Sequence, residues 1–387
     1  MDSFLFVTPC GASIIANAFN QDFKEKFNES IYNYSNWSEE KLKKEKPKIY
    51  QFFEEIIPLL REKLLKEDEK RLRKLSAELN ALLIFFERNS VKTGNNLVNH
   101  ILIPTDTYYG KLVSSLLKTL IEQRFKQTVI YAEPIKDLRT SSLEEFHWAL
   151  KDLASKLIKE LDLEGYRQKG YKVIFNLTGG FKSINSFLQV MASLYADESI
   201  YIFETSNELL TIPKLPIKVD MELFEKYLDF FRALELKEKV GSSKILNNFL
   251  KEIPSDIPES LIIKLNGEIS LSPYGELLWL KAKQEIYSRI LVEPLSEKLI
   301  YTKAFEEQFK KLNDREKRFL NLALDNFNLY LLTNHKYNPS SLRVHEVKNH
   351  PEYDLEFYPF EGNDSRRAYI KRENGKYLLL KIGSHLK

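Results

Sequence analysis

The chain has 387 residues, 43% hydrophobic and 29% charged, with 58 Lys and Arg against 55 Asp and Glu and a single cysteine. This is the composition of a soluble globular protein with room for two or three domains, and it excludes a disordered chain. A net charge of +3 sets up no global field for nucleic acid, one cysteine makes neither an internal disulfide nor a cysteine-rich zinc site, and no apolar run approaches the roughly 20 residues of a membrane span.

The N-terminus MDSFLFVTPCG has neither the basic flank nor the long apolar core of a signal peptide, so a cytoplasmic, reducing setting is expected. Phe4-Leu5-Phe6-Val7 reads as a buried first strand, and Thr8-Pro9-Cys10-Gly11-Ala12-Ser13 turns into a helix near Ile14. Cys10 has no histidine near it in sequence and is expected to pack rather than react. Residues 38–89 are charge-dense, and apolar residues at three- and four-residue spacing predict two amphipathic helices, one through Phe52–Leu65 and one through Leu72–Phe86. Their mixed-sign runs, KLKKEKPK and KEDEKRLRK, read as solvated faces.

His100-Ile101-Leu102-Ile103 is a further strand, ending in Pro104-Thr105-Asp106-Thr107 before a helix through Leu112–Leu120. Val129-Ile130-Tyr131 is a strand, and Ser142 to about Leu161 a helix. The stretch Tyr171–Ser183, YKVIFNLTGGFKS, runs from a buried strand through Gly179-Gly180 into a helix. Unpaired N–H groups and the helix dipole make such a junction an anion cradle, and glycine lets backbone approach a phosphate. Lys182 adds charge, and Asn176, Thr178 and Ser183 add hydrogen-bonding side chains, so a phosphate-bearing ligand is expected; an ordinary strand–helix connection is the alternative. The stretch is not the P-loop of NTPases, which needs a second glycine in a different register. Ile200–Phe203 is one more strand. Strands alternating with helices predict a parallel sheet with helices on both faces and a ligand site at the carboxyl ends of the strands, where the three turns at Thr8–Ser13, Thr105–Thr107 and Thr178–Ser183 converge.

TPCGAS, IPTDT and above all NLTGGFKS resemble the ligand-binding motifs of CARF domains, the CRISPR-associated Rossmann-like sensors, over roughly residues 1–210. The resemblance implies a homodimer that binds cyclic oligoadenylate across its two-fold axis, where two copies of one anion cradle face a ring of phosphates. It implies ligand contacts from Asn176, Thr178, Gly179, Gly180, Lys182 and Ser183, and second-tier contacts from Thr8, Gly11, Ala12, Ser13 and Thr105.

Thr211–Pro216 reads as a proline-punctuated linker. Beyond it come helices at Met221–Leu236 and Lys244–Leu250, a hairpin over residues 261–271 turning at Asn266-Gly267, and a helix through Leu277–Ile286. Helices plus a hairpin suggest a winged-helix-like connecting domain; its mixed charge favours protein docking over DNA reading.

From Ser296 onward, 17 Lys and Arg stand against 13 Asp and Glu. The pattern is a strand at Leu299–Tyr301, helices at Phe305–Leu312 and Asp314–Leu332, and strands at Ser341–Val347, Asp354–Phe357, Ala368–Ile370 and Tyr377–Ile382, a small α+β fold. Arg343, Arg366, Arg367, Lys371 and Lys381 lie on or beside these strands, and His335, His345, His350 and His385 belong to the same module. Metal-free RNA cleavage needs a base for the 2′-hydroxyl, a cation for the phosphorane and an acid for the leaving oxygen, and this set supplies all three. For any single Lys or Arg, solvating the sheet is the simpler reading. No H-E-x-x-H or paired cysteine suggests a metal.

IYTKAFEEQFKKL, SLRVHEVKNHP and RRAYIKRENGKYLLLKIGSH resemble the RelE/ParE toxin superfamily over this whole module. RelE-type members cut mRNA in the ribosomal A site, and ParE-type members poison gyrase. The resemblance maps Arg343 to the basic position of the first long sheet strand, Arg366 to the arginine of R-x-x-Y (with Tyr369) and His385 to the C-terminal Tyr or His, and reduces the lysine-rich segment to Lys348. Because Phe357–Asp364 is longer than the usual turn, Arg367 is the alternative arginine.

Together these readings predict an α/β Rossmann-like sensor domain over 1–212, a winged-helix-like linker domain over 213–295 and an α+β RelE-like ribonuclease over 296–387. The implied protein is a type III CRISPR ancillary effector, activated by cyclic oligoadenylate (cyclic tetra-adenylate first among rings), with no other cofactor. It cleaves mRNA on the ribosome and docks there, with the ribosomal stalk as one contact. The rival readings are a ligand-controlled transcription regulator with an inactive toxin module and a gyrase-directed toxin.

Overall fold

The apolar runs at Phe4–Val7, Ile101–Ile103 and Val173–Phe175 become central strands buried on both faces, as a parallel sheet requires, while the run at Val129–Tyr131 forms a half-buried edge strand. The computed structural model describes residues 2–91, 96–139, 142–203, 208–241, 244–265, 267–362 and 364–386. The chain divides into two units, Met1–Lys218 and Val219–Lys387, where three segments were expected.

The first unit runs β1 (Ser3–Cys10), α1 (Ser13–Phe27), α2 (Glu39–Glu45), α3 (Pro47–Lys66), α4 (Glu69–Leu75), α5 (Ala77–Arg88), β2 (Leu97–Pro104), α6 (Tyr108–Thr119), β3 (Thr128–Tyr131), α7 (Leu143–Ser155), α8 (Leu163–Gln168), β4 (Tyr171–Asn176), α9 (Lys182–Tyr195), β5 (Glu198–Ile202) and β6 (Leu209–Pro213). The sheet order is β3-β2-β1-β4-β5-β6, parallel except for the antiparallel β6. This α/β arrangement reverses direction between β1 and β4, and the crevice outside that pair is where open α/β sheets hold ligands.

Two expectations change here. The segment read as a linker contributes β6 up to Pro213, because an edge strand tolerates the missing N–H of a terminal proline. The single helix expected through Leu72–Phe86 is two: α4 stops at Leu75, and the Ser76 hydroxyl accepts the Leu79 N–H at 3.2 Å as the cap of α5. The break seats α5 on the sheet, where Phe85 stands edge-on to Phe4 and Phe6 at 5.6 and 5.3 Å. His100 stacks on Phe6 at 5.4 Å in the same fully buried layer.

The second unit runs α10 (Met221–Lys226), α11 (Leu228–Val240), α12 (Lys244–Phe249), β7 (Ile262–Leu265), β8 (Glu268–Leu271), α13 (Pro273–Arg289), β9 (Leu299–Tyr301), α14 (Lys303–Lys310), α15 (Asp314–Leu332), β10 (His345–Glu346), β11 (Leu355–Phe357), β12 (Arg366–Glu373) and β13 (Lys376–Ser384). β7 and β8 form the expected hairpin; Asn266 of its turn lies outside the described residues. The other strands form a sheet in the order β10-β11-β12-β13-β9, with β9 parallel to β13 and the remaining pairs antiparallel. The long strand expected over 341–347 shrinks to two residues, because Arg343 adopts a left-handed φ of +50° that no strand accommodates.

A polar network crosses the expected boundary at 295/296. Asp325 of α15 accepts from Arg232 of α11 through Nε at 3.0 Å and Nη2 at 2.8 Å, and Lys283 of α13 lies 3.4 Å away. Lys283 and the Trp279 indole both donate to Glu235, at 2.7 and 2.8 Å. All five residues are buried, so these charges must be paired to be tolerated. Desolvation pushes the Asp325 carboxyl up, but Arg232 and Lys283 overcome it and hold the group below its usual range.

Candidate functional site

Two places gather the polar residues singled out by sequence. The first is the crevice outside β1 and β4. α1 and α9 start there without a side-chain cap, although a side chain caps most of the other described helices. The first-turn amides of an α-helix have no intrahelical acceptor, and here no capping side chain supplies one.

The two turns touch. A Cβ on Gly11 would collide with the Gly180 amide, and Gly180 itself has φ +89° and packs on Pro9. A Cβ on Gly179 would land on the carboxylate of Glu78, a residue that sequence reasoning did not select. Glu78 is fully buried in the first turn of α5. It accepts from the Gly11 N–H at 2.7 Å, from the Ser76 hydroxyl at 2.7 Å and from the Ser13 hydroxyl at 3.1 Å. The donors of the first turn thus serve an anion belonging to the chain. Burial pushes the neighbouring Cys10 thiol well up, Glu78 adds to the effect, and the sulfur is no nucleophile.

The remaining predicted ligand residues divide by burial. Asn176 is fully buried and donates to the Glu78 backbone carbonyl at 2.9 Å, tying β4 to α5. Thr8 is fully buried, and Thr105 is buried with its hydroxyl 2.9 Å from that of Thr107, the cap of α6. Ala12 and Thr178 are half-buried at the turns. Lys182 and Ser183 are exposed in the first turn of α9. Lys182 and Ser183 are thus the most accessible of these residues, with Gly180, Ala12 and Thr178 half-buried beside them.

The second place is one face of the C-terminal sheet. Cross-strand register lines up His345, Glu356, Tyr369 and Lys381 on four successive strands. Side chains alternate along a strand, so Arg367, two residues before Tyr369, shares that face, while Leu355 and Phe357 point into the core. Glu356 is 3% exposed. Its Oε1 lies 2.7 Å from His345 Nε2, 3.4 Å from His385 Nε2 and 3.9 Å from Arg367 Nε. Arg367 is buried, with its guanidinium carbon 3.6 Å from the centre of the Tyr358 ring, a cation–π contact that helps hold it in place. The Tyr369 hydroxyl donates to the Ser384 carbonyl at 2.7 Å and accepts the Leu386 N–H at 3.1 Å, pinning the segment that carries His385. Burial and the adjacent Glu356 push that hydroxyl up to about 12.

Arg366, which the motif favoured, is elsewhere engaged. Its Nη2 lies 2.7 Å from both Asp364 and Glu316, and its guanidinium covers Phe360 at 4.1 Å. The hydrogen bond to Asp364 in particular tightens its hold on its proton. Arg343 is exposed beside the Tyr358 hydroxyl at 3.4 Å, and Lys348 is exposed past the end of β10. Lys371 pairs with Asp354 at 3.6 Å and donates to the Pro351 carbonyl. His335 stacks on Tyr330, and His350 faces Glu352, so neither joins the cluster.

Of the residues singled out by sequence, Arg367, His385 and His345 (the last named only as part of the module) come together around Glu356, which sequence reasoning did not select. The available signal was Leu355-Glu356-Phe357, an acid between two apolar strand residues, with histidine two strand positions into a neighbouring segment. Two imidazoles, a guanidinium and a buried carboxylate can move protons and stabilise a phosphate.

Residues 73–215 match the model of a family described as a CRISPR-associated protein (Cas_APE2256). The matched stretch contains Glu78, Asn176 and the Gly179–Ser183 turn, and it supports a CRISPR-associated role for the chain. No curated protein matches the chain. Among the described residues no helix is long and apolar enough to cross a membrane.

Proposed function

We propose that the chain is a type III CRISPR ancillary effector in which the first unit binds cyclic oligoadenylate and the second cleaves mRNA on the ribosome. The observation that carries the reading is the grouping of His345, Arg367 and His385 around Glu356. In this reading one histidine, neutral, takes the proton of a 2′-hydroxyl as its oxygen attacks the adjacent phosphorus. The other, as imidazolium, protonates the departing 5′-oxygen. The P–O2′ bond forms as the P–O5′ bond breaks, leaving a 2′,3′-cyclic phosphate and a free 5′-hydroxyl. Arg367 faces the charge that builds on the phosphorane, and Glu356 orients both rings. Arg343 and Lys381 hold flanking phosphates. Arg366, tied to two carboxylates, has a supporting role only.

At the first unit, the ring phosphates approach Gly180, Lys182 and Ser183 at the start of α9, with two copies of the chain sharing one ring. The winged-helix-like segment relays binding to the ribonuclease or docks on the ribosome. Activation requires the ring to bind the active state more tightly than the resting one. The test is translation in vitro with cyclic oligoadenylates of several ring sizes, mapping mRNA ends by primer extension. The expected result is new cuts that need both the ligand and the intact His345/His385 pair. Cuts that are absent with every ring, or that persist in the double histidine variant, would overturn the proposal.

A further inference from the structure

We propose that His345, Glu356 and His385 also form a binding site for a late first-row divalent cation, with Zn²⁺ as the best fit. The ion would take the same Nε2 atoms that move protons in the proposed cleavage, so Zn²⁺ and RNA cleavage would compete, and binding is tested here without RNA. The first support is the donor set. Two imidazole nitrogens and one carboxylate oxygen, all within 4.8 Å of one another, make the mixed N/O set that zinc takes with three protein ligands and one open position. Ligand atoms about 2.0–2.1 Å from a tetrahedral ion sit about 3.4 Å apart. Of the two measured edges from Glu356 Oε1, 3.4 Å to His385 matches that spacing, and 2.7 Å to His345 is shorter by about 0.7 Å, so a bound ion needs the His345 ring to swing outward. Glu356 is buried, whereas the histidine side chains are 43% and 48% exposed, so the adjustment falls to the rings.

The second support is the tautomer. The Arg343 backbone carbonyl lies 2.9 Å from His345 Nδ1, and a carbonyl only accepts, so Nδ1 carries the hydrogen. That leaves Nε2 as the ring atom that faces the carboxylate oxygen, 2.7 Å away, where a cation can be shared between them. An Nδ1–H held by a backbone carbonyl is the outer-shell arrangement that fixes histidine ligands in metal sites.

The third consideration selects the ion. Arg367 lies 3.9 Å from the same carboxylate oxygen, and its charge weakens any cation that relies on carboxylate alone. Mg²⁺ and Ca²⁺ depend on oxygen ligands, whereas Zn²⁺ draws most of its binding from the imidazoles.

The test uses the full chain, stripped with a chelator and dialysed, without RNA or cyclic nucleotide. Zn²⁺ is titrated by calorimetry in competition with a chromophoric chelator. The expected result is one Zn²⁺ per chain, undisturbed by a hundredfold excess of Mg²⁺. His345→Ala and His385→Ala each weaken binding by at least about tenfold, and the double variant loses it. Circular dichroism should show that these variants stay folded, with a lowered thermal midpoint expected where Glu356 loses its histidine partners. Co²⁺ loaded in place of Zn²⁺ should show visible d–d bands that the double variant lacks. No Zn²⁺ bound by the parent, or unchanged stoichiometry and affinity in the folded double variant, would overturn the proposal.

Discussion

Each unit buries one glutamate at its candidate site, and the two differ in what they face. Glu78 is satisfied by neutral donors fixed in the chain: one backbone N–H and two serine hydroxyls. Glu356 is faced by two histidines and an arginine. Fixed neutral donors turn a carboxylate into a clasp, here holding the β1–α1 turn to α5. Basic partners, two of them exposed imidazoles, turn it into a centre that orients reactive groups. The burial of an acid therefore says little about function until its partners are known. The Arg232–Asp325–Lys283 network makes the same point from the other side, since its charges are paired but all lie inside.

The largest effects should appear where the second glutamate's partners are removed. Arg367→Ala, or His345→Ala with His385→Ala, should lower the RNA cleavage rate by about 10²–10⁴-fold. Arg366→Ala should cost less than about tenfold, because its two carboxylates already occupy it. If Arg366→Ala abolished cleavage in a folded protein while Arg367→Ala did not, the contrast drawn between the two arginines would fail.

Arg232→Ala tests the interior charges. Removing Arg232 leaves the buried Asp325 carboxylate with only Lys283 and the Tyr287 hydroxyl, which costs about 3 kcal/mol. Urea unfolding should register the loss. A change below about 1 kcal/mol would mean that water reaches the network.

How much of this was legible in the sequence follows from the range of the interactions. The strands of the first unit were readable because a parallel strand is apolar along its whole length, as Val173-Ile174-Phe175 is. The convergence of the Gly11 and Gly180 turns followed from strand–helix alternation. Glu78 was not readable, because an acid in the first turn of a helix is ordinary in sequence and acquires meaning only when Gly11, 67 residues earlier, meets it. β6 was hidden by prolines that an edge strand tolerates. In the second unit the motif spacing favoured Arg366, but Asp364, two residues away, captures it. Such a short-range pair is visible in sequence as D-x-R and outweighs the motif position. Glu356 and His345 became a pair only through strand register, which no local pattern fixes.

Acid should distinguish the first unit through His100. Desolvation pushes its imidazole down from 6.5 to about 4, with only a hydrogen bond to Gln127 opposing. The unfolded chain takes up a proton near pH 6.5 that the folded one refuses until about pH 4. The stability involved is therefore present above pH 6.5 and is lost as pH falls toward 4, at about 1.4 kcal/mol per unit and roughly 3 kcal/mol in all. His100→Phe keeps the stack on Phe6 and removes the titration, and Gln127, half-buried, turns to water. Unfolding at pH 7 and pH 5 should show the parent losing stability and the variant losing less. Equal losses would place the acid sensitivity elsewhere.

The smallest effect bears most directly on the clasp. Lys182 is exposed at the start of α9, so Lys182→Ala should weaken cyclic oligoadenylate binding by about tenfold, the worth of one charge-assisted phosphate contact. Glu78→Gln should act in the opposite direction. It keeps the shape of the clasp but removes a buried negative charge from beside the turn that receives the phosphates, so affinity should rise a few-fold. The same change exchanges charged for neutral hydrogen bonds and should lower stability by about 1–2 kcal/mol. Opposite signs in ligand affinity, measured by calorimetry on folded variants, would show that the internal anion and the ligand share one field. If both substitutions weakened binding alike, Glu78 would act by holding the turns in place and the charge argument would fall.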